Sequence, residues 1–387
     1  MTNQKRQLDS VLERHFKVYK EVLILLGARQ VGKTTILKKI FPQAQYLSVD
    51  TEPIRDAFNR YDPAVYRQIL RPGFEYVVID EIHKLSDPGR AAKIFYDQIP
   101  EYKLIITGSS AFNIKNKASE SLAGRKIEYH LYPLTFSEYL VQKGFVNDFS
   151  YLFLDKFEEN KVYPFDLGAL LDNTLIYGLY PEMISRPSDP LYLTNLVDSV
   201  VFKDLLDLRL IENREGALNL LKLLAHQIGS LVNYSELATR LKMDVKTVGR
   251  YIDLFEKSFI LFKILPYSTN KRDEIGKMPK IYFYDLGLRN ALIENFQPMN
   301  NRPDGGHIFE NFIVSEILKS NYYGNFGYKL NFWRTKQGSE VDLVLSKNDG
   351  ELRGVEIKSS PRAGGKAFLN RYTRAKFITV TKQNFYQ

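Results

Sequence analysis

Gly27-Ala28-Arg29-Gln30-Val31-Gly32-Lys33-Thr34 is launched by the apolar run Val22-Leu23-Ile24-Leu25-Leu26 and followed by Thr35-Ile36-Leu37-Lys38-Lys39-Ile40. Strand, glycine-bounded loop and helix in that order make the setting of a phosphate-binding loop. Gly27 and Gly32 let backbone N–H groups curl around phosphates, with Ala28, Arg29, Gln30 and Val31 forming the cradle between them. Lys33 reaches the β- and γ-phosphates, Thr34 offers its hydroxyl to Mg²⁺ at a helix N-terminus, and Thr35 continues the first turn. The implied ligand is ATP with Mg²⁺. The alternative, a glycine turn before an ordinary helix, fits the flanking strand and helix less well.

Further apolar strands are expected at residues 45–49, 76–79 and 103–107, alternating with helical stretches, which is the rhythm of a parallel α/β sheet covered by helices. The second of them, Tyr76-Val77-Val78-Ile79, ends in Asp80-Glu81. Asp80 is placed to hold Mg²⁺ through a water, and Glu81 to polarise the attacking water as general base. The third ends in Thr107-Gly108-Ser109, where Thr107 or Ser109 could sense a γ-phosphate; a plain turn is the alternative for each. Arg125, in Ser121-Leu122-Ala123-Gly124-Arg125, is a candidate to stabilise transition-state charge, in cis or across a subunit interface, or else a surface arginine.

The chain has 387 residues, 44% of them hydrophobic, enough for two to four packed domains. Zero cysteines exclude disulfides, thiolate zinc sites and cysteine nucleophiles, and five scattered histidines offer no metal cluster. No run of 18 apolar residues occurs and the first residues lack a signal-peptide core, so no membrane contact and a soluble, cytoplasmic chain are expected. Net charge is +9. Residues 357–387 hold Lys358, Arg362, Lys366, Arg371, Arg374, Lys376 and Lys382 and no acid, which suits a polyanion such as nucleic acid or else a solvated basic surface.

Four domains are expected: a P-loop ATPase core at 1–140, a helical lid at 141–215, a winged helix at 216–280 and an α/β domain at 281–387. In the third, two short helices and a hairpin put Lys246, Thr247 and Arg250 on a recognition helix and Lys271, Arg272, Lys277 and Lys280 around a wing, positions suited to DNA. Residues 234–260 nevertheless carry five cations against four acids, whereas DNA binding depends on phosphate neutralisation.

These motifs resemble those of the AAA+-type ATPases of bacteria and archaea that carry a winged helix and end in a restriction-endonuclease-like domain. The resemblance runs from the phosphate loop through Asp80-Glu81-Ile82-His83-Lys84-Leu85, Thr107-Gly108-Ser109-Ser110, Leu122-Ala123-Gly124-Arg125 and Pro133-Leu134-Thr135-Phe136-Ser137-Glu138-Tyr139. It continues in Tyr177-Gly178-Leu179-Tyr180-Pro181-Glu182, Lys203-Asp204 and Tyr282-Phe283-Tyr284-Asp285-Leu286-Gly287-Leu288. Leu179 stands where that family often has a second glycine. The resemblance also offers packing between domains as a second use of the winged helix.

Toward the C-terminus, strand alternation puts Asp342 on one face of its strand and Glu356 with Lys358 on one face of the next, and Asn348-Asp349-Gly350 supplies the turn. Two carboxylates can bind Mg²⁺ or Mn²⁺ while a lysine positions the water that attacks a phosphodiester. Glu310 joins them because it shares a helical stripe with Ile313, Val314 and Ile317, where a carboxylate must be paired or metal-bound. Glu310, Asp342, Glu356 and Lys358 resemble the motif set of the PD-(D/E)xK nucleases, with Val341 in place of the proline. Two functions follow as expectations: an ATPase coupled to a nuclease-like domain acting on or near DNA, or an ATP-switched scaffold whose inactive nuclease-like domain binds a partner protein or nucleic acid. A nuclease merely gated by ATP is a third; oligomeric state is left open.

Overall fold

The computed structural model describes residues 5–108, 122–152, 163–202, 211–268, 278–335, 337–358 and 364–386. Ser109, Lys203, Asp204, Lys271, Arg272, Lys277 and Arg362 lie outside the described residues. The chain divides into two compact units, one built on residues up to Pro133 and one on most of the remainder.

In the first unit, strands β1 (Val22–Leu26), β2 (Gln45–Ser48), β3 (Tyr76–Asp80), β4 (Lys103–Gly108) and β5 (Lys126–His130) form one sheet in the order β2-β3-β4-β1-β5. Every pairing is parallel. All five residues of β1 are buried, as a central strand covered on both faces requires. Because the strands are parallel, the ends of β1, β3 and β4 share one edge: Leu25 lies opposite Thr107, and Ile79 opposite Ile106. The loop after Leu26, the acids after Ile79 and Thr107 are thereby neighbours. β5 was not expected from the sequence; only Tyr129 among its five residues is buried, so it carries little apolar signal.

In the second unit, β6 (Leu261–Pro266), β7 (Lys280–Phe283), β8 (Lys329–Arg334), β9 (Glu340–Ser346), β10 (Leu352–Ile357) and β11 (Lys376–Val380) form a six-stranded sheet ordered β11-β10-β9-β8-β6-β7. Asn233 caps the helix Tyr234–Leu241, Lys242 turns the chain in the left-handed region, and the helix Val245–Lys257 leads to β6. β6 pairs antiparallel with β7, and its last two residues, Leu265 and Pro266, pair parallel with Asn331 and Phe332 of β8.

That last pairing corrects the expected boundary at 280. β7 begins at Lys280, and the hairpin expected as the wing of a separate module is hydrogen-bonded into the C-terminal sheet. An unpaired strand edge is a strong template for another strand, and β8 uses it. The boundary expected at 140 lies a few residues beyond Pro133, where the main stretch of the first compact unit ends. It falls inside the helix Phe136–Gln142, whose N-terminus is closed by a Thr135–Glu138 capping box and whose Phe136 N–H donates to Glu316 at 2.7 Å. That carboxylate belongs to the helix Gly305–Tyr323 of the second unit.

Candidate functional sites

The phosphate loop leaves β1 at Gly27 and enters the helix Lys33–Ile40 from Gly32, which adopts φ +94°. A Cβ at Gly27 would stand 2.2 Å from the Leu131 carbonyl oxygen, so only glycine allows that close approach. Gln30 also adopts positive φ, Ala28 and Val31 are buried, Arg29 is half-buried and Thr35 is exposed. Lys33, nearly buried, donates from Nζ to the carbonyls of Gly27 and Ala28, each at 2.9 Å. Its ammonium therefore lies folded over the mouth of the loop, where a triphosphate's negative charge would recruit it.

At the same edge the Thr34 hydroxyl donates to Asp80 Oδ2 at 3.3 Å. A threonine hydroxyl beside an aspartate on a loop that binds phosphate fits Mg²⁺, which takes few protein ligands and completes its shell with water and phosphate oxygens. Thr34 and Asp80 are the residues that would hold it.

Thr107 is placed differently from the expectation. Its buried hydroxyl donates to Asp80 and accepts from the Glu81 N–H at 3.2 Å, so it orients the two acids rather than facing a γ-phosphate. The inserted strand β4 explains this, because its end lies between the loop and β3. Glu81 itself adopts φ +59°, a costly conformation for a non-glycine residue that functional sites often retain. Its Oε2 lies 3.4 Å from Nε2 of buried His83, a partner whose role no spacing rule announced.

Arg125 is a second correction. It precedes β5, whose Lys126 pairs with Val22 at the start of β1, while the phosphate loop follows the other end of that strand. Arg125 Nε donates to Asp97 Oδ1 at 2.9 Å. A residue at the opposite edge of a parallel sheet cannot reach the phosphates in cis.

In the second unit, β9 and β10 pair Leu343 with Val355, so the next step along each strand brings Asp342 beside Glu356. The Ile357 N–H donates to Asp342 Oδ2 at 2.7 Å, and Lys358 pairs with Glu356 at 2.8 Å. Glycines back two of the carboxylates: a Cβ at Gly229 would stand 3.1 Å from Glu310 Oε1, and one at Gly364 3.0 Å from Glu356 Oε2. Burial and then the Glu310 charge push the Asp342 carboxyl up to about 7, with the Ile357 N–H and Lys280 pulling the other way. A cavity of about 680 Å³ lies alongside, lined in part by Gly305, His307, Glu310, Lys358 and Lys382.

Among the described residues no three His, Cys, Asp or Glu side chains are grouped to hold an ion. Glu310 Oε1 is taken by Tyr282 Oη at 2.7 Å and Lys280 Nζ at 3.3 Å, and Lys280 also pairs with Glu340 at 2.6 Å. This also removes Lys280 from the wing contacts: it is 4% exposed and faces carboxylates, not solvent. Lys246 and Arg250 are exposed on their helix. Of the basic C-terminal segment, Lys358 and Lys382 are ion-paired, the latter with Asp172 at 2.8 Å.

Residues 19–140 match a family model described as an AAA domain. These residues form an AAA-type P-loop ATPase domain. Beyond the AAA domain, residues 168–299 and 305–384 match models described as domains of unknown function, DUF8612 and DUF4143. An uncharacterized protein of Methanocaldococcus jannaschii is 26% identical over 366 residues, covering 88% of this chain and 76% of its own length. One of Mycobacterium tuberculosis is 26% identical over 347 residues, covering 87% and 70%. Among solved structures, the Walker-type ATPase of Pyrococcus abyssi aligns at 15% identity and a TM-score of 0.47, over 76% of this chain and 96% of that one. Among the described residues no helix is long and apolar enough to cross a membrane.

Proposed function

We propose that the chain is a Mg²⁺-dependent ATPase. The observation that carries this reading is the connected set at one sheet edge: Thr34 on Asp80, Asp80 on Thr107, and Thr107 on the backbone of Glu81. In it Lys33 neutralises phosphate charge, Thr34 and Asp80 hold Mg²⁺, and Glu81 takes a proton from the attacking water. Bound Mg²⁺ supplies charge neutralisation at the phosphates. The test is turnover of ATP by Glu81→Gln: binding retained with turnover lost supports the assignment, and unchanged turnover removes Glu81 from it.

For the second unit, the helix pair with its hairpin supports a winged helix, and the carboxylate hairpin a nuclease-like fold acting on or near DNA. One observation favours the scaffold reading over cleavage. Lys280 already supplies a cation to Glu310, and Lys358 one to Glu356, so two carboxylates of the expected set hold a cationic side chain where a metal would bind. We therefore assign the second unit to binding a partner, nucleic acid or protein, under control of the nucleotide. Cleavage of plasmid or single-stranded DNA with Mn²⁺ by wild type but not by Lys358→Ala would overturn that assignment; intact DNA and RNA with both would support it.

A further inference from the structure

Arg6 lies outside every motif of the nucleotide site, yet its side chain is 5% exposed and grips the phosphate loop. Nη1 donates to the carbonyl of Val31 at 3.0 Å, and Nη2 to the carbonyl of Tyr132 at 2.7 Å. The guanidinium thus ties the middle of the loop to the chain just after β5. Its place is secured from both sides. The Arg6 N–H donates to Asp9 at 2.9 Å, and the same carboxylate pairs at 2.6 Å with Lys39 on the loop's own helix. Leu8 and Leu12 are buried, and His15 contacts the Tyr129 hydroxyl of β5 at 2.9 Å.

The peptide plane gives this contact a consequence for ligand binding. In a trans peptide the C=O and the following N–H point in opposite directions from one rigid plane. Holding the Val31 oxygen toward Arg6 therefore turns the Gly32 N–H the other way, toward the interior that a phosphate cradle requires. Gly32 needs that help: at φ +94° it has no Cβ, and the nearest foreign atom to the position one would take is Arg6 Nη1, at 3.9 Å. A glycine peptide left unbraced has more freedom to rotate than any other.

We propose that Arg6 is a positioning residue for the triphosphate: it fixes the Val31–Gly32 peptide so that the loop is preorganised for phosphate before ATP arrives. The proposal rests on the ATPase reading above. Because Arg6 contacts backbone carbonyls of the loop and not the reacting atoms, a positioning defect of this kind appears in KM more than in kcat. A merely structural brace behaves otherwise, lowering thermal stability and the active fraction while KM stays fixed.

The experiment is steady-state ATP hydrolysis, with titration of a non-hydrolysable ATP analogue, on the full chain and on Arg6→Gln and Arg6→Lys. Loss of a charged donor to a buried carbonyl should raise KM and the analogue's Kd about tenfold in Arg6→Gln while kcat changes less than about twofold. Lysine can reach one of the two carbonyls, so Arg6→Lys should give a smaller rise, and it carries the test alone if Arg6→Gln fails to fold. Wild-type binding with unchanged KM and Kd in a folded variant overturns the proposal, whatever the melting temperature does. A wild-type chain that neither binds nor hydrolyses ATP removes the ATPase reading itself, and the proposal with it.

Discussion

His83 Nε2 lies 3.4 Å from Glu81 Oε2, with the histidine 1% exposed and the glutamate 17%. The pair sits directly after β3, where the Glu81 backbone is held at φ +59° with its N–H on Thr107. A general base, the role proposed for Glu81, acts only from one geometry, and the buried imidazole packed beside its carboxylate limits where that carboxylate can go. His83→Ala is therefore expected to lower kcat by roughly tenfold to 100-fold, while KM for ATP stays near wild type because His83 faces Glu81 rather than the loop. Turnover assays decide it, and an unchanged kcat would reduce the contact to packing.

Gly27→Ala tests the close approach behind the loop. Its Cβ would stand 2.2 Å from the Leu131 carbonyl oxygen, whose own residue donates its N–H to the Leu26 carbonyl. Relief requires the strand end to move, so a stability loss of about 1–3 kcal/mol is expected in urea unfolding. ATP-analogue affinity should fall with it, since the first turn of the loop shifts. A variant with wild-type midpoint and affinity would show that the strand end yields freely.

Lys280 and Glu310 form a nearly buried ion pair, and Lys280 also serves Glu340. Burial lowers the Lys280 pKa, but the surrounding carboxylates outweigh it and hold the ammonium charged. Lys280→Met should cost about 3–5 kcal/mol because it strands negative charge next to Asp342. Adding Glu310→Gln should restore part of the loss, so the two effects are not additive. Denaturation of the four proteins of that cycle measures the coupling; strict additivity would mean that the pair is energetically silent.

Asp304 should govern part of the acid stability. Burial pushes its carboxyl up, but hydrogen bonds from Arg302 and Arg289 outweigh burial and hold it at about 2, from the usual 3.8. A depressed carboxylate stabilises the fold fully above its unfolded value and loses that contribution as pH falls through the folded one. Wild type should therefore lose about 2 kcal/mol between roughly pH 4 and pH 2 from this group. Asp304→Asn should flatten the stability profile in that window and be less stable at pH 7, where Arg289 loses its counter-charge. Parallel profiles for the two proteins would disprove the linkage.

Much of the nucleotide site was legible before any fold was known. Its loop is eight consecutive residues, and its chemistry depends on backbone N–H groups and neighbouring side chains whose relation is fixed by covalent spacing. The same holds for Asp80-Glu81 at the end of an apolar strand, and for Asp342 and Glu356 facing each other across a tight hairpin. Local periodicity also carried the parallel sheet, because buried strands such as β1 announce themselves by composition.

What spacing could not carry is the end of a sheet at which a residue stands, or which distant charge shares its cavity. Arg125 was a candidate to act on phosphate in cis until the half-exposed strand β5 put it beside Val22, at the edge away from the loop; a role across a subunit interface or as a surface arginine stays open. Lys280 looked like a wing residue until β7 joined the C-terminal sheet and turned its ammonium toward Glu310, 30 residues later. Arg6 meets Val31 across 25 residues and Tyr132 across 126. Sequence by itself determined the loop, the acids beside it and the strands that launch them, since their spacing is local. Only the tertiary structure decided how those groups are oriented, because a buried charge takes its role from whichever partner the packing brings within hydrogen-bond reach, and chain separation places no limit on that partner.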